Sequence, residues 1–168
     1  RYFKAAGAND GSDDAVVNGD LGVAIGSNAE SNGVYAIAIG NNASTQGNYG
    51  GTAIGGGFTD DPTRQNIAGQ FGTAVGFASQ ARGVGDTAIG TYANTGDTVD
   101  PTSDLTNSYR TAIGYKAFAS GDAAIAVGTF NTATGHRSTA LGYEADALAD
   151  DSVALGSESL ADEANTVS

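Results

Sequence analysis

One tripeptide pattern recurs along this chain at near-constant spacing, and it limits the folds available more than any other feature. Alanine, followed by isoleucine, valine or leucine and then by glycine, occurs nine times. The alanines are Ala24, Ala38, Ala53, Ala74, Ala88, Ala112, Ala126, Ala140 and Ala154. Five of the eight spacings are 14 residues, and the two longest read as an intact repeat with an insertion. Such periodicity indicates stacked repeats in which each copy is one structural unit.

Each repeat has the residue types of two short strands joined by tight turns. The residue before every alanine is β-branched, which is typical of a strand with alanine on one face and branched side chains on the other. The following glycine suits a sharp turn, and a second glycine stands seven residues later in several copies (Gly33, Gly47, Gly83, Gly121 and Gly135). Glycines this frequent would destabilise a helix. The pattern therefore predicts an all-β parallel β-roll, a β-solenoid with 14-residue coils.

The two faces of the repeated strand have different predicted environments. Two sheets joined by turns this short leave room only for small side chains between them, so the alanines are expected to face inward. The larger residue after each alanine then faces outward. This stripe comprises Ile25, Ile39, Ile54, Val75, Ile89, Ile113, Val127, Leu141 and Leu155. Because soluble monomers seldom expose so long an apolar surface, it predicts an oligomer, and a homotrimer would bring three stripes to one axis.

Composition excludes several classes of function. The chain has 26 glycines, no tryptophan, methionine or cysteine, and a net charge of −12, which opposes binding to nucleic acid or anionic lipid. No apolar run is long enough for a membrane helix, so no direct membrane insertion is expected. His136 is the only histidine, at a predicted turn, which argues against a histidine-based catalytic site in one chain. We expect no enzyme activity and no cofactor.

These repeats resemble the head of trimeric autotransporter adhesins, the YadA-like left-handed parallel β-roll. The stretch "STALGYEADALADDSVALGSESLA" is similar to the head repeat of that family, and the resemblance extends from about 12 to 161. The opening "RYFKA" resembles the start of such heads, and "ADEANTVS" at 161–168 resembles the lead-in to the neck. The resemblance implies a single head domain over 1–168 and a homotrimer.

The resemblance also implies a function and a location. It implies a passenger head held at the surface of a Gram-negative cell and anchored in the outer membrane by C-terminal parts absent here. Such heads mediate cell adhesion and virulence by binding collagen, fibronectin, laminin or a host-cell receptor. The repeat builds the scaffold and does not specify the ligand. A structural spacer of the fibre, with no ligand of its own, remains the alternative. Two weaker alternatives are a β-helix acyltransferase, which has a different repeat period, and an ice-binding solenoid.

Two insertions, at about 56–68 and 91–110, are the candidate ligand-binding loops, and Pro62 and Pro101 are the only prolines. The alternatives are tolerated decoration and loops that clasp a neighbouring subunit. The acidic residues within them could hold calcium, although solubilising surface charge is the simpler interpretation, and no metal site is predicted. The candidate residues are Thr59, Asp60, Asp61, Arg64, Asp97, Asp100, Asp104, Tyr109 and Arg110.

Aromatic residues follow the repeat glycine in three copies, as Phe77, Tyr115 and Tyr143. Because equivalent positions stack from coil to coil, these rings are predicted to form a ladder along one edge of the roll. Stabilisation of the coils is the favoured role of this ladder, and a ligand platform is the alternative. The one 15-residue spacing adds a residue that we place at 52–56, where a bulge is expected.

Overall fold

The computed structural model of this chain describes residues 11–58, 61, 64–96 and 109–168, and these form a parallel β-solenoid. One side of the solenoid is a single nine-stranded parallel sheet. Its strands are β2 (Val23–Ile25), β4 (Ile37–Ile39), β6 (Thr52–Ile54), β8 (Thr73–Val75), β10 (Thr87–Ile89), β11 (Thr111–Ile113), β13 (Ile125–Val127), β15 (Thr139–Leu141) and β17 (Val153–Leu155). Each contains one repeat alanine, and the alanines pair in register from coil to coil, as Ala112 does with Ala126. The predicted β-solenoid is therefore confirmed.

The other side of the solenoid is a second sheet in two parts. Its five-stranded part contains β1 (Val16–Val17), β3 (Glu30–Ser31), β5 (Ala43–Thr45), β7 (Asn66–Ala68) and β9 (Gln80–Ala81). Its four-stranded part contains β12 (Phe118–Ala119), β14 (Thr132–Ala133), β16 (Asp146–Ala147) and β18 (Leu160–Ala161). Asn94 forms single bridges to Gln80 and to Phe118, so it joins the two parts. The chain alternates between the two sheets, and one pass through both is one coil.

Tight turns at both edges of the roll account for the repeat glycines. The glycine that ends each strand of the nine-stranded sheet has a positive φ, +130° at Gly114. A Cβ there would overlap the carbonyl oxygen of Gly128 in the next coil, so stacking itself requires glycine. A non-glycine residue commonly follows in the left-handed region, such as Lys116 or Phe130. We call this side the ladder edge and the other side the opposite edge.

The interior of the roll consists almost entirely of small side chains. Of the nine repeat alanines, all but Ala24 in the first strand of the sheet are fully buried. The second sheet adds further buried alanines, including Ala119, Ala133 and Ala147. The prediction that alanine faces inward is confirmed. Burial of many small side chains, rather than a few large ones, lets the two sheets approach each other closely.

The coil register locates the insertions more narrowly than the sequence pattern did. Asn66–Ala68 is a regular strand that pairs with Ala43–Thr45, so the inserted residues of the first insertion are 58–65. In the second insertion, Asn94 and Arg110 both occupy regular coil positions, so the extra residues fall within 97–108. The additional residue near 52–56 was misplaced, because Thr52–Ile54 pairs regularly with Ile37–Ile39. It lies in the preceding turn, where Tyr49 bridges to Val34.

Candidate functional site

An apolar stripe runs along the outer face of the nine-stranded sheet. Its positions alternate with the buried alanines, so its side chains point away from the core. Several are substantially exposed in the single chain, among them Ile89 at 38%, Leu141 at 44% and Leu155 at 58%. The neighbouring β-branched column adds Val23 and Ile125, which are also exposed. The predicted outward direction of the stripe is confirmed, whereas its burial between subunits stays a prediction.

A ladder of six aromatic rings lines the ladder edge. The rings are Phe58, Phe77, Tyr92, Tyr115, Phe130 and Tyr143, with successive centroids 5.1 to 6.4 Å apart. Each contact is edge-to-face, with interplanar angles of 75° to 88°, the arrangement that the quadrupoles of aromatic rings favour. The predicted ladder is confirmed, and Phe58, Tyr92 and Phe130 extend it beyond the three rings expected.

Two cations of the chain already lie on this ladder. The Arg64 guanidinium carbon is 3.9 Å from the Phe58 centroid, and Arg64 Nη2 donates a 2.7 Å hydrogen bond to the Tyr92 hydroxyl. The Lys116 ammonium lies 5.5 Å from the Tyr115 centroid and 5.3 Å from that of Phe130. All three distances from a cation to a ring centroid are within the range of cation–π attraction. The ladder therefore presents ring faces in a geometry that accepts cationic groups.

The last ring of the ladder has acidic rather than basic neighbours. Tyr143 is 48% exposed and is followed by Glu144, while Glu158 occupies the equivalent turn position one coil further on. The Glu158 backbone N–H donates to the Tyr143 carbonyl oxygen at 2.8 Å, which sets the two turns in register. A hydrogen bond to the Glu144 carboxylate, with the negative charges of Glu144 and Glu158, raises the pKa of Tyr143. We call Tyr143, Glu144 and Glu158 the open end of the ladder.

A buried ion pair lies at the base of the second insertion. Arg110 Nη2 is 2.8 Å from Asp86 Oδ2, and the two side chains are 4% and 0% exposed. The Asp86 carboxylate also accepts hydrogen bonds from the backbone N–H groups of Gly83 and Arg110 and from the Thr95 hydroxyl. Because both charges are paired and hydrogen-bonded, the small-residue interior can accommodate them.

Glycines make room for this ion pair. A Cβ at Gly83 would overlap Arg110 Nη2, and one at Gly96 would lie 2.9 Å from Arg110 Nη1. Thr95 and Arg110 are on the two sides of 97–108, and both bind the Asp86 carboxylate, so this carboxylate joins the two ends of the second insertion. Arg110 was a candidate ligand-binding residue, but its buried guanidinium faces Asp86. We therefore correct that assignment: Arg110 is a structural residue of the coil.

The opposite edge carries exposed apolar side chains as far as Tyr109 and ion pairs in the coils that follow it. Leu21, Tyr35, Tyr49, Phe71 and Tyr109 are each at least half exposed. Further along the chain, Arg137 forms a bidentate pair with Asp151, and His136 Nε2 is 3.0 Å from Asp122 Oδ2. The hydrogen bond and charge of Asp151 raise the pKa of Arg137, and the same contact lowers that of Asp151. His136 is partly exposed, as expected for its turn position.

The candidate loop residues do not form one described cluster. Thr59, Asp60, Asp97, Asp100 and Asp104 lie outside the described residues, as do Pro62 and Pro101. Arg64 is exposed at the ladder edge, whereas Tyr109 is 62% exposed at the opposite edge. Asp61 accepts a backbone hydrogen bond from Arg64. The structure therefore places Arg64 and Tyr109 on different sides of the roll, and their role in binding stays a prediction.

The part of the chain that the structure describes contains no group of three or more metal-ligating side chains. Within these residues there is likewise no helix with the length and hydropathy to span a membrane.

Comparison with known families agrees with this architecture. The family model described as "YadA head domain repeat (2 copies)" matches residues 18–43, 68–93, 111–131 and 133–159, which is more than half of the chain. Each of the four matches contains two alanine-centred strands of the nine-stranded sheet. No curated protein matches the chain.

Proposed function

This chain belongs to the YadA head domain family, and from that premise we propose that it is the ligand-binding head of a homotrimeric autotransporter adhesin. Heads of this family are structural adhesin domains rather than enzymes. We propose that three copies assemble through the apolar stripe and that the head attaches a Gram-negative cell to host matrix proteins or to a host-cell receptor. Residues 161–168 would then lead from the head into the neck.

The observation that best supports the proposed trimer is that the apolar stripe is continuous. It spans all nine strands of one sheet, and its side chains alternate with an alanine column that is fully buried in every strand except the first. At roughly 25 cal/mol for each Å² of apolar surface removed from water, a surface of this length provides a strong drive to self-association. A rotational arrangement buries the same face of every copy at one axis and leaves the outer sheet and the edges for other contacts.

Proteins of this type are anchored in the outer membrane at the cell surface. Because the anchor is in the membrane, we propose that the head lies at the far end of the fibre, where it contacts host proteins before the rest of the fibre does. Collagen, fibronectin and laminin are the matrix ligands that we propose. Three identical sites on one trimer would raise the apparent affinity through avidity, even where each single contact is weak.

The test is binding of the purified trimer to immobilised collagen, fibronectin and laminin, measured by biolayer interferometry. Two variants separate scaffold from loops. The first deletes residues 58–65, which joins Gly57 directly to Asn66. The second replaces residues 97–108 with the Gly-Asp turn found at Gly121 and Asp122 of the next coil. Both restore an uninterrupted coil and leave the ion pair of Asp86 and Arg110 in place.

We expect the wild-type head to bind at least one of the three proteins, and at least one loop variant to lose that binding while remaining trimeric. Failure of the wild-type trimer to bind all three, and to bind cultured host cells, would support a structural spacer instead. Full binding by both loop variants would move the ligand site from the insertions to the roll itself.

A further inference from the structure

We propose that the open end of the ladder, formed by Tyr143, Glu144 and Glu158, is a docking site for an arginine or lysine side chain of a partner protein. The inference rests on the proposed adhesin function, because it specifies the chemistry by which such a head would recognise a ligand. It concerns the roll rather than the insertions.

The chain itself shows how the ladder treats cations. Arg64 lies on the rings at one end, in contact with Phe58 and Tyr92, and Lys116 lies over Tyr115 and Phe130 in the middle. These are two separate side chains from different coils on one row of rings. The Tyr143 ring continues that row at 6.3 Å from Phe130, but among the described residues no cation contacts it. Two positions along this row of rings therefore hold a cation of the chain, whereas the Tyr143 ring is open to a cation from outside.

The substituents at the open end favour a positive charge from outside. Where Lys116 occupies the left-handed turn position beside the Tyr115 ring, the equivalent positions two and three coils further on are Glu144 and Glu158. Both carboxylates are on exposed residues in register with the ring. An approaching guanidinium or ammonium would thus meet an aromatic face together with two carboxylates, which combines cation–π attraction with charge-assisted hydrogen bonds.

Overall charge points in the same direction. The chain carries −12 at pH 7, and three copies carry −36 (3 × −12). A field of this sign raises the encounter rate of basic segments and repels acidic ones. Net charge alone attracts a basic segment without fixing where it binds. The Tyr143 ring, flanked by two carboxylates, provides a defined binding position. The occupant that the charges and rings together favour is a basic segment of a protein.

The probe is a fluorescein-labelled peptide with three Gly-Arg-Gly units, titrated with the intact trimer by fluorescence anisotropy at physiological salt. Its control is the same peptide with citrulline in place of arginine, which keeps the shape and removes the charge. The matched protein variants are Tyr143→Leu, which removes the ring, and Tyr143→Phe, which keeps it. Glu144→Gln with Glu158→Gln removes both carboxylates, and Glu30→Gln with Glu163→Gln removes the same charge at exposed positions elsewhere.

We expect the arginine peptide to bind more tightly than the citrulline peptide. Tyr143→Leu should weaken binding about two- to fivefold, the range of one exposed cation–π contact, while Tyr143→Phe stays close to wild type. The Glu144→Gln, Glu158→Gln variant should lose more affinity than the Glu30→Gln, Glu163→Gln variant. Both double variants remove the same charge, so a difference in their affinity for the arginine peptide depends on where the carboxylates lie and not on net charge.

Three results would overturn the inference. Equal binding of the two peptides would show that the positive charge of arginine is not recognised. Equal loss of affinity in the two double variants would show that only the net charge of the head matters. Dissociation of the Tyr143→Leu trimer would show that the ring contacts another copy of the chain. None of these results bears on attachment to matrix proteins, which the wild-type binding experiment tests separately.

Discussion

The Arg110 guanidinium and the Asp86 carboxylate, 2.8 Å apart, occupy the same interior position of two successive coils. Each residue immediately precedes the strand triplet, Thr87–Ile89 or Thr111–Ile113. In the coils on either side, that position holds glycine, alanine or serine, such as Gly72, Ala124 and Ser138. The pair thus replaces two small residues at the point where the second insertion interrupts the roll, and it connects the coil before the insertion to the coil after it.

Removal of one member of this pair should destabilise the head strongly. Asp86→Ala and Arg110→Ala each leave an unpaired buried charge, for which we expect a loss of about 3–5 kcal/mol of unfolding free energy. The double variant places alanine at both positions, as at Ala124, so its loss should be well below the sum of the two single losses. Urea unfolding at one fixed protein concentration measures all three. Arg137→Ala, which breaks an exposed pair, is the control and should lower the urea midpoint far less than either buried-charge variant.

This pair also shows what the sequence allowed us to predict. The coil length, the alanine interior, the outward stripe and half of the ladder follow from residues that recur at 14-residue spacing. Asp86 and Arg110 depart from the repeat, and we assigned Arg110 to a loop because it adjoins an insertion. An available signal was that opposite charges occupy equivalent positions in consecutive copies, next to the strand. An alignment of the repeat copies by their strands, rather than by their glycines, would have placed Asp86 and Arg110 at the same position and revealed this signal.

The other omissions have similar physical causes. Tyr92 and Phe130 stand one residue later than Phe77, Tyr115 and Tyr143 in their turns, in the left-handed position, so the rings alternate between two sequence positions while forming one row in space. Asn66 was assigned to an insertion because it lacks the alanine pattern. Its amide instead satisfies carbonyl groups inside the roll, including that of Gly76 at 3.0 Å, which a hydrophobicity pattern does not reveal.

The alanine interior should not tolerate larger side chains. Ala126→Leu adds three carbon atoms between two close sheets, and we expect a loss of about 1–3 kcal/mol or more from overpacking. Ala123→Leu is the matched control, because Ala123 is exposed at the turn position that Leu21 occupies in another coil. Thermal and urea unfolding should distinguish the two variants. Equal stability of Ala126→Leu and wild type would contradict the inward placement of the alanine column.

Glycine stacking allows a prediction with an internal control. Gly114 and Gly156 both have positive φ, +130° and +121°, but only at Gly114 would a Cβ overlap the carbonyl of the next coil. Gly156→Ala should therefore incur only backbone strain, about 1–3 kcal/mol, whereas Gly114→Ala should incur strain and a collision. We expect Gly114→Ala to unfold at a lower urea concentration than Gly156→Ala. The reverse order would show that coil stacking does not impose the glycine.

The pair of Arg137 and Asp151 should make a small acid-dependent contribution. Because the pKa of Asp151 is lowered in the folded chain, stability from this contact is present above the ordinary aspartate value of 3.8 and is lost as the pH falls through the lowered value. Carboxyl-carbon NMR titration should give a midpoint below 3.8 for Asp151, and Arg137→Gln should return it towards that value. Lys116→Gln, at the other edge, should leave it unchanged. An Asp151 midpoint that ignores Arg137→Gln would exclude the contact in solution.

The trimer should depend on the stripe and not on apolar exposure in general. Ile89 and Ile113 are paired neighbours at the middle of the nine-stranded sheet, and replacement of both by Asp would place six carboxylates near the proposed axis. Desolvation and mutual repulsion of those charges should dissociate the assembly.

Leu148→Asp with Leu160→Asp is the matched control, since both leucines are exposed on the second-sheet side of the roll at 45% and 49%. Light scattering after size-exclusion chromatography should report three copies for wild type and control and one copy for Ile89→Asp, Ile113→Asp, with circular dichroism to establish that each retains its strands. A trimer that survives both stripe substitutions would place the subunit contact on another face, and a folded wild-type monomer at micromolar concentration would remove the contact altogether.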